Sequence, residues 1–263
     1  MSRKHEPPLV ERLPFPIAGV YSLFLENLEA GRFDAAWYQS IDVHEAITKY
    51  VFVVLVSDAI EARTREGDDG KPFARATEAL VKVWTSKNLG FGSWTGALRK
   101  LSRDTPGVAF PEVLAAARNE RFLAQLQQAN DFRNTRAHGA QGNDPATRAR
   151  EAGEQADKLV ALLGQLDALE RTNLCIESGD GASVVLRGPT LRSLKARDHP
   201  AKLAIVSAAG SQTRISVVPL LRVVPVPGST NGRSVAYFNG IWHGKVKFLD
   251  YFTGLVSSAS PAG

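Results

Sequence analysis

The sequence predicts an α+β protein: an N-terminal all-α helical bundle over residues 1–173, followed by a small β-rich domain over 174–263. Three observations carry that prediction. Through the first part apolar residues recur three and four positions apart, the helical period. From Leu174 onward the texture becomes that of strands, as in Ser183-Val184-Val185-Leu186 and Arg214-Ile215-Ser216-Val217-Val218. Charge divides at the same place. The chain carries +5 overall, but from Leu174 onward ten Lys or Arg meet four Asp or Glu, a net +6 that leaves −1 for everything before it.

In order along the chain, Pro14 and Pro16 punctuate the start of a helix through Val20, Leu23, Phe24 and Leu28, stopped at Gly31. A longer helix over about 37–65 places Ile41, Ile47, Val51, Val54 and Leu55 on a broad apolar face, and Gly67-Asp68-Asp69-Gly70 ends it. Helical pieces follow over about 73–84 and 94–101, with Gly90-Phe91-Gly92-Ser93-Trp94-Thr95-Gly96 read as the turn connecting them. Pro111 then opens a run through Val113, Leu114, Phe122, Leu123, Leu126 and Phe132 that delivers Arg133. Gly139 and Gly142 interrupt the pattern. Asp144-Pro145 suits the N-cap and first turn of a closing helix with Leu159, Leu162, Leu163, Leu166 and Leu169. In the second part, Gly228 to Gly232 reads as a turn. Val235 to Phe238 and Lys245 to Tyr251 read as a hairpin around Asn239-Gly240 to Gly244, with Lys245 and Lys247 on one face and Val246 and Phe248 on the other. The residues after Ser257 are expected to fray.

Composition narrows the classes of function. Cys175 is the only cysteine, which excludes an intramolecular disulfide and a cysteine-built zinc cage. Tyr50 to Val56, the longest compact apolar stretch, falls far short of the roughly 20 residues that cross a bilayer. Glu6, Pro7 and Pro8 stand where an export signal would have its apolar core. A cytoplasmic protein with no membrane partner is expected. His44-Glu45 is not a zinc peptidase start, because Thr48 occupies the place of the second histidine. His5, His199 and His243 have no ligand spacing either, so neither a metal nor a cofactor is expected. The glycines from Gly90 to Gly96 lack the Gly-Lys-Ser/Thr ending of a phosphate loop.

The residues that carry chemistry lie in Arg133-Asn134-Thr135-Arg136-Ala137-His138, at the end of a helical run. A histidine moves protons near neutral pH, and a guanidinium offers a planar fork of donors to phosphate oxygens. Together they suit RNA cleavage without a metal: a base takes the proton of the ribose 2′-hydroxyl, the oxygen attacks phosphorus, and the arginine stabilises the charge that develops.

This Arg-Asn-x-x-x-His arrangement, preceded by a long helix with Glu45 and Lys49, resembles the HEPN superfamily of helical bundles found in bacterial defence and toxin systems. The resemblance spans roughly Leu13 to Arg171 in element order. It implies a HEPN-like endoribonuclease in which Arg133 stabilises phosphate charge, His138 acts as general acid or base, and Asn134 orients the pair or binds the scissile phosphate. It also implies a homodimer, because one motif supplies few groups for a reaction that needs both a base and an acid. In family members silenced by nucleotide transfer to a tyrosine two positions after the histidine, that tyrosine is required. Here the position is Ala140, so that mode of control is not expected.

Each of these residues also has a simpler reading. Arg133 and His138 could satisfy a helix C-terminus, and Asn134 could cap backbone locally. Arg136 adds phosphate affinity or is solvated surface. Glu45, four residues before Lys49, gives modest support as a helical ion pair or faces the site. Trp242 and His243, near Lys245 and Lys247, could stack a base and hold a backbone, or Trp242 is core. RNA is the expected partner, with a possible antitoxin or defence-system protein beside it. The competing function is a noncatalytic HEPN-like module that dimerises and binds RNA or a nucleotide for a partner effector.

Overall fold

The structure, a computed structural model, describes residues 8–66, 78–79, 81–83, 85, 89–105, 109–137, 144–177, 183–189, 202–207, 214–216, 220–225, 233–242, 245–251 and 253–259. Among these the order is helical first and stranded last. The helices are α1 (Leu9–Arg12), α2 (Phe15–Glu29), α3 (Phe33–Glu66), α4 (Phe91–Asp104), α5 (Pro111–Arg118), α6 (Glu120–Ala137), α7 (Pro145–Gly164) and α8 (Asp167–Glu170). The strands are β1 (Thr172–Glu177), β2 (Ser183–Val185), β3 (Lys202–Ser207), β4 (Arg214–Ser216), β5 (Leu221–Pro225), β6 (Arg233–Trp242), β7 (Lys245–Asp250) and β8 (Leu255–Ala259). This is the α+β class the sequence predicts. No helix among the described residues is long and apolar enough to cross a membrane.

Helix α3 is the axis of the helical part, and α2, α4, α5, α6 and α7 all pack on it. Its middle, Tyr50 to Val56, is buried on every side, as a helix hydrophobic all round must be. Two expectations change here. The turn expected over Gly90 to Gly96 is instead the first part of α4, because Phe91, Trp94, Leu98 and Leu101 repeat at helical spacing and are all buried. The run expected from Pro111 to Phe132 is two helices, broken at Asn119, whose backbone is extended at ψ 119°. Its Oδ1 accepts from the Arg121 N–H at 2.9 Å, starting α6 anew. Asp144 caps α7 as expected, its carboxylate accepting from the Ala146 and Thr147 amides.

The strands form two antiparallel four-stranded sheets, in the orders β2-β1-β3-β4 and β5-β6-β7-β8. The inner strands β1 and β3 carry no period-two signal in the sequence, because Leu174-Cys175-Ile176 and Leu203-Ala204-Ile205 are buried throughout and do not alternate. The expected hairpin turn at Asn239-Gly240 lies inside β6. The pairing register shifts between Phe238 and Ile241, and Gly240 takes φ +100°, a bulge that glycine accommodates without strain. Far from fraying after Ser257, the chain continues β8 to Ala259 and pairs it with Val246. The turn expected over 228–232 and most of the helical piece over 73–84 lie outside the described residues.

One buried apolar cluster runs through both parts, from Leu13, Phe24 and Tyr50 to Ile205, Val235 and Phe238. A second joint is polar. The Arg187 guanidinium donates to the carbonyls of Arg12 at 2.7 Å and Glu170 at 2.7 Å, and to Asn173 Oδ1 at 2.7 Å. Beside it the Phe15 amide donates to Leu186 and the Gly188 amide to Leu13.

Candidate functional site

Asp42, Glu45 and Lys49 lie three and four residues apart on α3 and therefore share a face. The helical ion pair expected of Glu45 and Lys49 is formed, and it is buried. The Lys49 side chain has no exposed surface, and its ammonium sits 3.1 Å from Glu45 Oε1 and 3.2 Å from Asn239 Oδ1, to which it donates. The same ammonium stands 5.0 Å from the centre of the Trp94 ring and 4.9 Å from that of Tyr251. Two ring faces, a carboxylate and an amide oxygen thus stand in for water. Burial pulls the Lys49 pKa below its ordinary value, and the Glu45 carboxylate opposes that pull. In the other direction, burial and then the Glu45 carboxylate raise the Tyr251 phenol well above the ordinary tyrosine range.

Asp42, one turn before Glu45, is half-buried at the edge of this centre. Burial, with the Glu45 charge behind it, pushes its carboxyl up to about 7, against the pull of Lys49 and Arg133. Arg133 comes from the last turns of α6 and is exposed. Its Nη1 lies 3.7 Å from where a Cβ on Gly90 would stand, so the guanidinium borders the first turn of α4. Gly90, the N-cap residue of that turn, has no side chain with which to cap it. One helical turn earlier on α6, Asn130 lies so close to Gly92 that a Cβ there would come within 3.3 Å of both its amide oxygen and nitrogen. Gly92 therefore serves close helix approach, whereas a Cβ at Gly90 would make only ordinary contact.

The expected residues fall into four groups. The charges of Glu45 and Arg133 both act on the carboxyl of Asp42. Asn134 is exposed one residue after Arg133, and Arg136 lies in the final turn of α6. His138 and His243 lie outside the described residues. On the second sheet, Lys245 is exposed and Lys247 half-buried, with Trp242 opposite Lys245 in the β6–β7 pairing.

His44 faces away from this centre into a small groove with Gln128, Phe132, Gln155 and Lys158. Its Nδ1 donates to the Ser40 carbonyl at 2.7 Å. Burial, with Lys158 adding to it, lowers its pKa to about 4 despite that bond, so this histidine stays neutral near pH 7.

Asp42, Trp94, Asn239 and Tyr251 belong to the centre although no sequence motif marks them. For Asp42 a signal is present, three residues before Glu45 on one helix face. For Asn239 and Tyr251 no local signal exists, since their relation to Lys49 is made by the packing of β6 and β7 against α3. Among the described residues no group of three His, Cys, Asp or Glu could hold a metal ion. Compared with models of known protein families, with curated proteins and with solved structures, the chain matches none.

Proposed function

We propose that this protein is a metal-independent endoribonuclease that cuts RNA by 2′-hydroxyl attack and leaves 2′,3′-cyclic phosphate ends. The observation that supports this reading most is the place of Arg133: an exposed guanidinium beside the first turn of α4, whose charge also acts on the carboxyl of Asp42. A scissile phosphate there would meet a fork of charged donors and a helix N-terminus. Arg133 stabilises the phosphorane, His138 takes the 2′-hydroxyl proton, and Asn134 orients the phosphate. Lys245 and Lys247 add sequence-independent phosphate contacts. The active form is a homodimer, and the setting is antiphage defence or a toxin–antitoxin pair, both following the HEPN resemblance.

The test is cleavage of total RNA by the purified protein in the presence of a chelator. Discrete fragments with cyclic phosphate ends are expected. His138→Ala is expected to cut about 10²- to 10⁴-fold more slowly, and Arg133→Ala about 10²- to 10³-fold, with circular dichroism unchanged. Asn134→Ala should be milder. If the wild type leaves RNA intact, the noncatalytic binding module is the better reading. If His138→Ala cuts as well as the wild type, the active site lies elsewhere.

A further inference from the structure

The groove beside His44 takes no part in the reaction proposed above, yet polar groups without partners converge on it from two helices. His44 of α3 and Gln155 of α7 are its enclosed members, each 2 % exposed. The Nδ1–H of His44 is taken by the Ser40 carbonyl, a group that can only accept. The neutral ring therefore offers the groove a bare acceptor at Nε2. The carboxamide of Gln155, which both donates and accepts, has no hydrogen-bond partner among the described residues. On the open side the exposed Lys158 ammonium stands 5.5 Å from the centre of the Phe132 ring and has no carboxylate partner among the described residues. A polar group enclosed without a partner costs stability. Two of them facing one groove, beside an unpaired cation, point to a ligand.

The lining selects among ligands. A carboxylate or phosphate oxygen has no proton for His44 Nε2, an ammonium is repelled by Lys158, and a methyl group leaves the enclosed polar groups unpaired. A hydroxyl suits them all, because its proton goes to His44 Nε2 and its lone pairs accept from the Gln155 amide. Size agrees: the cavity is about 20 Å³, and one water-sized group takes about 10–15 Å³ of such space. Lys158 then favours an anion close to that hydroxyl.

We propose that this groove is a ribose-recognition site, which takes the 2′-hydroxyl of a ribonucleotide while the adjacent 3′-phosphate rests on Lys158. This deepens the endoribonuclease reading, and rests on it for the choice of RNA among hydroxyl-bearing anions. Phe132 immediately precedes Arg133 on α6, so the groove lies along the helix proposed to hold the scissile phosphate. The 2′-hydroxyl is the group by which a protein tells RNA from DNA. A strand without it leaves His44 and Gln155 unpaired, and the groove makes the protein select ribose.

Nuclear magnetic resonance on the full chain tests this with ligands that 2′-attack does not cleave. The probes are adenosine 3′-phosphate, its 2′-deoxy and 2′-fluoro counterparts, and a short single-stranded DNA ending in a ribonucleotide 3′-phosphate. Adenosine 3′-phosphate is expected to shift the His44 ring-nitrogen and Gln155 side-chain amide signals. The deoxy and fluoro compounds lack the proton and should bind about 5- to 100-fold more weakly, the effect of leaving a buried acceptor unpaired. Lys158→Gln should weaken the ribo and deoxy compounds by the same factor. Gln155→Leu should narrow the gap between them while melting no lower than the wild type, because the free protein loses an unpaired enclosed amide. Tighter binding of the oligonucleotide than of the mononucleotide supports an RNA strand as the ligand, whereas equal affinity supports the ribose site with a free ribonucleotide in it. Equal affinity for the ribo and deoxy compounds, shifts confined to residues outside the groove, or no shift at all overturns the proposal. Cleavage of total RNA is scored separately. Fragments without a ribose preference overturn the groove and leave the nuclease reading standing, and a ribose preference without fragments does the reverse.

Discussion

Asp42 and His44 sit two residues apart on α3, face opposite sides, and have their proton affinities moved in opposite senses. The folded-state pKa of Asp42 is raised from 3.8 to about 7, so the stability it contributes is complete below its unfolded value and is lost as pH climbs through 7. That of His44 is lowered from 6.5 to about 4, so its contribution is present above 6.5 and is lost as pH falls toward 4. Since a tenfold change in proton affinity is worth about 1.4 kcal/mol, the contributions are on the order of 4 kcal/mol for Asp42 and 3 kcal/mol for His44. Between pH 4 and 6.5 the two slopes oppose each other, and single variants should separate them. In denaturant titrations Asp42→Asn should gain stability over the wild type above pH 7 and lose that gain near pH 4. His44→Gln should flatten the acid limb between pH 6.5 and 4. A flat difference across pH for either variant would contradict its assignment. The positions of both residues on α3 were legible from spacing. Their opposite environments were not, because these depend on which helix covers each face.

Elements show the same division between what a local pattern records and what packing adds. The long apolar face of α3, the Asp144 cap and the basic β7 strand are written in consecutive residues. The break at Asn119 is written too, but faintly, as an asparagine before an acidic first turn inside a run otherwise apolar at helical spacing. The inner strands β1 and β3 leave no alternation to read. Least legible was Lys49, since a Glu–Lys pair four residues apart looks like helix surface in any sequence. Its burial makes it costly to disturb: Lys49→Ala should destabilise the fold by about 3–5 kcal/mol, because Glu45 is left buried and unpaired. Replacing both partners, as Glu45→Leu with Lys49→Met, should cost clearly less than Lys49→Ala alone. Equal losses in equilibrium unfolding would show that packing, not charge, governs the position.

Across the whole molecule, helices and sheets share one apolar cluster, and Arg187, two residues after β2, binds the carbonyls of Arg12 and Glu170. The change of texture at Leu174 marks a change of secondary structure, and the core continues across it. Residues 1–173 alone would expose the faces of α2 and α3 that the sheets cover, an apolar area of the kind that drives aggregation. That fragment is therefore expected to aggregate or to lack a cooperative unfolding transition, measured by calorimetry and light scattering. A monodisperse, cooperatively melting fragment would mean that the helices hold their core without the strands. The sequence shows where helices stop and strands begin, but a division in secondary structure carries no information about which apolar faces meet.

Asn239 lies 190 residues after its partner Lys49. On a ribosome, α3 and Arg133 emerge well before β6 exists. Until it does, the Lys49 ammonium lacks the Asn239 oxygen and the Tyr251 ring and keeps water in their place, and the neighbouring Glu45 and Asp42 remain solvated, with the carboxyl of Asp42 ionised like that of any exposed aspartate. The distance in sequence between two contacting side chains then works as a delay, because the buried charge centre cannot close until the C-terminal strands have been made.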